Sequence, residues 1–412
     1  MKKILAYYIP VFIVCFMSAC TVNQKTSLID KKNHQGQVKK QTKHRHSLPD
    51  GVISADIVNN EGKLHLLTGK HHQGLKSLWY QNSINGGKSW SKAVRILDKS
   101  DLPANMQRGK DAQITAQGNV IVATWMKYVK GARFNAGPMM AVRSLDNGLT
   151  WQTAPSPPDW GQGPHGYIDM SANKDAMHAI WLDSRAGASG LSASQGLHYA
   201  KSTDGGISWQ KNITLDDMSC SCCWNTIKSD REGNSYVLYR DKQPSDFSIG
   251  MINSQKTWQY LNHVGDFNWQ FEGCPHIGGG LDFQYIDNQK RIHAIVGTGH
   301  SEYLGIHALY SVDGGKKWSN PTQLGDESSI HGDIASHDDG RVVAIWDMMS
   351  KHGLAIFKAE STDQGMSWSI PIQISNSQLR ATHPRIVKTK QGFLALWTEN
   401  DGNQQKLAIV KM

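Results

Sequence analysis

The sequence predicts an all-β propeller of four-stranded antiparallel blades, seven of them by repeat count. Three observations predict it. A box, S-x-D/N-x-G-x-x-W, is written five times. A β-rich run that often ends in an aromatic and a polar residue is written seven times. The composition, with 39 glycines, 14 tryptophans and only 19% charged residues, is that of a turn-rich globular chain rather than a disordered one. A chain of 412 residues suits two or three ordinary domains or one large repeat architecture.

From the N-terminus, residues 1–19 read as an export signal. Lys2 and Lys3 form a positive start, and Ile4 to Met17 is a mainly apolar run too short for a comfortable membrane span. The run ends in "MSAC". This resembles a bacterial lipobox, which implies cleavage before Cys20 and lipidation of its thiol and new N-terminus. The resemblance implies a lipid-anchored envelope protein, on the outer membrane or a periplasmic face. Residues 20–48 read as a disordered basic tether, "KKNHQGQVKKQTKHRH" at its centre, nearly free of large apolar groups.

The net charge of +9 belongs to this leader and tether. Residues 1–48 hold nine of the 44 Lys/Arg and one of the 35 Asp/Glu, leaving 35 basic and 34 acidic residues for the rest. The tether suits anionic headgroups. The balanced remainder gives no footprint for nucleic acid.

Residues 49–412 read as the propeller. The boxes are "SINGGKSW" from Ser83, "SLDNGLTW" from Ser144, "STDGGISW" from Ser202, "SVDGGKKW" from Ser311 and "STDQGMSW" from Ser361. A sixth, "NSQKTW", keeps only its tryptophan, Trp258. The six tryptophans (90, 151, 209, 258, 318 and 368) recur every 49 to 61 residues, the period of a supersecondary unit. Asp and Gly supply the positive φ and side-chain-to-backbone bonds of a tight hairpin, and Trp an apolar plug. Two strand-like runs precede each box. The seven copies of the first are "KLHLLTG", "NVIVATWMK", "MHAIWLDSR", "SYVLYRD", "RIHAIVGTGH", "RVVAIWDMM" and "GFLALWTEN". The last unit stops at its third strand, "KLAIVKM", so the missing strand is expected from residues 43–50. Closing small sheets into a ring protects their edges.

On these boxes the chain resembles the sialidase-like (BNR-repeat, Asp-box) β-propeller superfamily over residues 49–412. The resemblance makes six blades the alternative count, since sialidases have six. It also implies that the boxes lie on the turns between third and fourth strands, away from the ligand face. Function then belongs to the residues before each first strand and those ending each second strand.

The first set reads Lys110 and Asp111, His165, Cys220 with Cys222 and Cys223 in "CSCCW", Cys274 and His276, His331, and His383 with Arg385. Four of seven blades place a histidine there. The second set reads Asp183 and Arg185, Arg240 and Asp241, His300 and Glu302, Asp347, and Glu399. Equivalent positions of a radial repeat face one axis. The sequence therefore predicts that His165, Cys222, Cys223, Cys274, His276, His331 and His383 converge at the channel mouth.

Two chemistries fit. The resemblance implies an exo-glycosidase of sialidase type, with a Tyr nucleophile, an acidic partner, an Asp acid/base and three arginines on a sugar carboxylate. Arg185, Arg240 and Arg385 are the candidate clamp. Tyr128, Tyr167 and Tyr303 are the candidate nucleophiles, Tyr303 foremost, with Asp183 and Asp241 as acids. The Arg-Ile-Pro motif of the family is absent. The other chemistry is a copper or zinc site at Cys222, Cys223, Cys274 and His276, since thiolate and imidazole suit soft and borderline metals. In an oxidising envelope cysteines also tend to pair; Cys220, Cys222, Cys223 and Cys274 can do so in three ways, and one inter-blade bridge from Cys274 to the "CSCC" run is expected as the alternative. The expected partners are a glycan or small-molecule ligand and, through the anchor, a membrane; a monomer is expected. A non-catalytic protein scaffold is the third reading.

Overall fold

The computed structural model describes residues 48–97, 102–161, 163–185 and 195–412. The signal segment, Cys20 and nearly all of the tether lie outside them. Ser47–Met412 form one compact unit.

Each repeat folds as expected from its pattern. Blade 1 comprises an inner strand Asp50–Asn60, a second strand Lys63–His72, a third Leu75–Ser83 and a short outer strand Val94–Ile96. The inner strands of blades 2 to 7 are Gln113–Gln117, Gly166–Ala172, Thr226–Ser229, Gly280–Ile286, Gly332–Ser336 and Arg380–Thr389. Second strands are continuous apolar runs because neighbouring blades cover both faces. Met177–Asp183 and Ser235–Arg240 are buried at every position. Outer strands such as Gln152–Ala154 are short and largely exposed, which limits edge pairing.

Each inner strand packs beside that of the next blade, and the seventh beside the first, so the ring holds seven blades. Blades 2 to 6 are four-stranded antiparallel sheets. Blade 7 has three strands and shares a seven-stranded sheet with blade 1. The join is parallel: Asp50 and Gly51 pair with Gln404 and Gln405 of the last strand, Gln404–Lys411. Of the closing segment expected over 43–50, Asp50 makes this pairing, together with Gly51, as the start of blade 1's own inner strand; residues 43–47 lie outside the described residues.

The five boxes share one hydrogen-bond scheme on the turn between third and outer strands. In blade 5, Gly315 N donates to Ser311 Oγ at 2.9 Å, and Lys317 N donates to Asp313 Oδ1 at 2.9 Å. Blade 6 repeats it with Gly365 N to Ser361 Oγ at 2.8 Å and Ser367 N to Asp363 Oδ1 at 2.9 Å. The second glycine also meets the preceding blade. A Cβ on Gly148 (φ +88°) would lie 2.0 Å from Tyr80 of blade 1. The box therefore locks its own hairpin and seats it against a neighbour.

Along the axis, carboxylates staple blade to blade. Asp56, Asp169 and Asp333 each accept a backbone N–H from the next inner strand, from Ile114, Ile227 and Ile386 at 2.8 to 2.9 Å. Arg385 closes this set, its Nη2 lying 3.3 Å from Asp56 and 3.5 Å from Asp169. Burial pushes Asp169 up to about 6, against the pull of Arg385. Among the described residues no helix is long and apolar enough to cross a membrane.

Candidate functional site

The face opposite the boxes gathers the residues that precede or begin the inner strands. Three of these strands carry register shifts; one lies between Val52 and Ser54, and the two at the site lie opposite Tyr167, between Ile180 and Leu182, and around His383, between Thr382 and Arg385. Bulges re-aim side chains beside functional sites. Tyr167, His276 and His383 all have left-handed φ, 51°, 52° and 56°. Bulky residues adopt this conformation rarely, and it marks positions that the surrounding structure holds in place.

The first cluster joins blades 4 and 5. A ligand atom from each of Cys222, Cys274 and His276 lies within 4.8 Å of the other two. Cys222 is buried, whereas Cys274 and His276 are exposed. Burial, then the hydrogen bond with Cys274, pushes the Cys222 thiol up to about 12. Burial lowers His276, with Lys110 and His331 adding to the effect. This thiol stays protonated until a cation displaces the proton, as metal binding to thiols requires.

The second cluster joins blades 6 and 7. His331 donates from Nδ1 to Asp347 Oδ2 at 2.6 Å, and the same oxygen accepts from His383 N at 3.0 Å and Thr382 Oγ1 at 2.7 Å. The two imidazoles stack at 4.0 Å. Burial favours the neutral Asp347 acid, yet His331 and His383 hold it well below the usual carboxylate range. Ligand atoms of His331, Asp347 and His383 also lie within 4.8 Å of one another.

Trp224 links the clusters. Its ring lies 4.5 Å from His331, 5.5 Å from His383, 6.5 Å from His276 and 6.2 Å from Tyr167. Its Nε1 donates to the Gly109 carbonyl of blade 2. A Cβ on Gly109 would lie 2.4 Å from the indole. Trp224, Lys110, Tyr167, His331, His383 and Arg385 are among the side chains around a cavity of about 70 Å³ at the mouth.

The remaining cysteines sit behind the first cluster. Cys220 and Cys223 are disulfide-bonded, so the bridge closes within one loop and not between blades; Cys222 and Cys274 are free. Cys223 is accordingly not available to the Cys222–Cys274–His276 set in this state.

The candidates from the sequence thus divide. Cys222, Cys274, His276, His331 and His383 come together, with Lys110 acting electrostatically on both Cys222 and His276. Asp111 serves the fold, accepting from Ala55 N at 2.9 Å and Arg108 at 2.6 Å. His165 is buried and its Nδ1 accepts from Met139 N at 2.9 Å. Burial brings it down to about 4, despite Asp183 nearby. Asp183 is committed to Trp181, His198 and Arg185. The three arginines each have separate partners. Arg185 pairs with Asp183 and Asp159. Arg240 faces sulfur, and Arg385 faces the axial aspartates. Asp241 accepts from Lys242 N and Ser248 Oγ. Tyr303 is 40% exposed and packs on Phe267 and His300. Trp224 was not singled out by the sequence. Its signal is that it ends the "CSCCW" run, outside both the boxes and the second strands.

No family model matches the chain, and no curated protein matches it. Solved structures do. A polysaccharide lyase of family PL25, an ulvan lyase, aligns at TM-score 0.58 and 10% identity over 88% of this chain and 94% of that one. The same enzyme bound to -[GlcA(1-4)Rha3S]- aligns at TM-score 0.56 and 9% identity over the same shares. Polysaccharide lyase Uly1 aligns at 0.53 and 7% identity over 87% and 90%. The class that fold and site define is a seven-bladed propeller, with the architecture of these glycan-active proteins and with Cys/His/Asp clusters close enough to chelate a metal.

Proposed function

We propose that this protein binds copper at Cys222, Cys274 and His276, as a lipid-anchored envelope propeller of the sialidase-like Asp-box type. One observation carries the reading: two thiol sulfurs and an imidazole nitrogen converge within 4.8 Å on a ligand face. Three soft donors suit copper(I), whereas structural zinc takes four protein ligands. Exposed Cys274 and His276 supply the way in, and buried Cys222 supplies the anchor. The anchor at Cys20 rests on the lipobox.

The full-length chain, purified without chelator or reductant, should carry one copper per chain by elemental analysis. Cys274→Ser and His276→Ala should each lose it while keeping the melting temperature of the copper-free parent. Stoichiometric zinc would replace the metal assignment, and metal-free protein that takes up neither ion would overturn the reading.

A second reading, a carbohydrate ligand on the same face, is favoured by the Asp347–His331 pair. The carboxylate fixes the imidazole with Nδ1 protonated and leaves Nε2 as the nitrogen able to take a proton. With Lys110 and Tyr167 beside the cavity, proton abstraction from a uronate is the chemistry that fits, rather than a three-arginine sialidase site. Ultraviolet absorbance from unsaturated uronate products on a polysaccharide panel tests it. Activity lost in His331→Gln supports it, and no product from any uronate polymer removes it.

A further inference from the structure

Behind the proposed copper ligands lies a buried cation, Arg240, on which Asp246 and Asp241 act only from beyond ion-pair distance. Arg240 is 2% exposed. Its Nη1 lies 3.1 Å from Cys220 Sγ and 3.5 Å from Cys223 Sγ, and its Nε donates to the Ser245 carbonyl at 2.9 Å. Its other close neighbours are the rings of Trp269 and Phe271, at 4.6 and 5.8 Å. Nη2 is buried with no hydrogen-bond partner among the described residues. No carboxylate reaches ion-pair distance of it among them. A buried charge needs an opposite charge and satisfied donors. Disulfide sulfurs are neutral and weak acceptors. Two thiolates in their place would supply both the charge and the acceptors.

The geometry shows what those thiolates could do. The sulfurs of Cys220, Cys222 and Cys223 lie within 4.8 Å of one another. So do the ligand atoms of Cys222, Cys274 and His276. Cys222 belongs to both triads, with its Sγ 3.9 Å from that of Cys220. The structure assigns a second copper position to Cys220, Cys222 and Cys223, opened when the Cys220–Cys223 disulfide is reduced, with the Cys222 thiolate bridging two copper(I) ions. This rests on the copper reading of Cys222, Cys274 and His276 and adds its regulation.

The chemistry balances. A dithiol reductant gives two electrons and two protons to the S–S bond, which breaks to two thiols, and the reductant leaves as a cyclic disulfide. Each thiol that binds copper(I) releases its proton to water. Copper keeps its oxidation state. The full site then holds four thiolates, two copper(I) ions, the Arg240 guanidinium and the Lys110 ammonium, which acts on Cys222. Their charges cancel, and the guanidinium gains its missing partners. A disulfide oxidant would re-form the Cys220–Cys223 bond by exchange, take up the two electrons and leave as two thiols, expelling one ion and keeping the other, so the cluster's capacity reports the thiol–disulfide balance of the compartment.

The test titrates the full-length chain anaerobically with copper(I) held in a competing chelator. One aliquot is as isolated; the other has been reduced by a dithiol and freed of it. The expected stoichiometry is one copper per chain in the first and two in the second, with a copper–copper path in the X-ray absorption of the second alone. Cys222→Ser should lose both ions, and Arg240→Met should weaken the second by at least tenfold while sparing the first. These comparisons include the unmutated chain in both states, so a variant that misfolds does not decide the outcome. One copper in both states overturns the second position and leaves the first standing. Two in both states overturns the disulfide as its control, and two without a copper–copper path overturns the bridge. No copper in either state removes the underlying reading as well.

Discussion

Asp363 shows how much a single half-buried side chain can do for a turn. Its carboxylate accepts from the Ser367 hydroxyl and backbone N–H and from Ser361 Oγ. The Ser367 hydroxyl first, then its N–H, bring the Asp363 carboxyl down to about 2. A carboxyl held below its unfolded value of about 3.9 stabilises the fold above that pH and ceases to as pH falls through its folded value. The melting-temperature gap between the parent and Asp363→Ala should therefore be full above about pH 5 and narrow between about pH 4 and 2. A gap that stays constant to acid would show that the ionised form contributes nothing. This residue was legible in the sequence because its partners lie within six positions. Arg385 was not. Asp56, Asp169 and Asp333 come from blades 1, 3 and 6, and only ring closure brings them to one guanidinium. Read locally, "HPR" offered a ligand clamp; in three dimensions it holds the axis.

At the scale of the strand, the inner ring depends on carboxylates reaching forward by one blade. Asp333 bonds Ile386 N of blade 7, bonds Ile334 N beside itself, and lends charge to Arg385. Removing it leaves a buried N–H unpaired and a guanidinium short of an anion. Leaving a buried donor without its acceptor costs about 1–3 kcal/mol. Asp333→Ala should lower the unfolding free energy by about 2 kcal/mol in a denaturant titration. A change below about 1 kcal/mol would mean that Asp56 and Asp169 satisfy Arg385 alone. Strands and hairpins were readable because their chemistry repeats with the period. The strand entrances were readable as positions, since a radial repeat brings equivalent residues to one axis. Their division into two clusters was not, because it depends on bulges at Tyr167 and His383 and on one indole. The pairing of Cys220 with Cys223 was equally hidden, since spacing alone leaves three pairings open.

For the whole molecule the weak seam is the join between first and last blades. Its backbone pairing is limited to two parallel pairs, Asp50 with Gln404 and Gly51 with Gln405, beside the apolar contacts of Ile57 and Leu64 with Val387 and Leu394. Gly51 has φ +108°, and a Cβ there would lie 2.0 Å from the Gln405 carbonyl oxygen. No larger residue fits without moving backbone. Gly51→Val should open the seam first. Hydrogen exchange should quicken across Gln404–Lys411 and the start of Asp50–Asn60, while blades 3 to 5 keep their protection. Uniform loss of protection would instead show that the ring unfolds as one unit.

The indole of Trp224 has a consequence for traffic. It spans from blade 4 to the Gly109 carbonyl and lies against two stacked imidazoles, so the axis is stoppered at this end. On the proposed copper reading, an ion bound for the sulfurs would arrive sideways, over the exposed Cys274 and His276, rather than down the axis. Its supply would then be a short chain of exchanges along a rim, with a speed set by ligand swapping and not by the width of a hole.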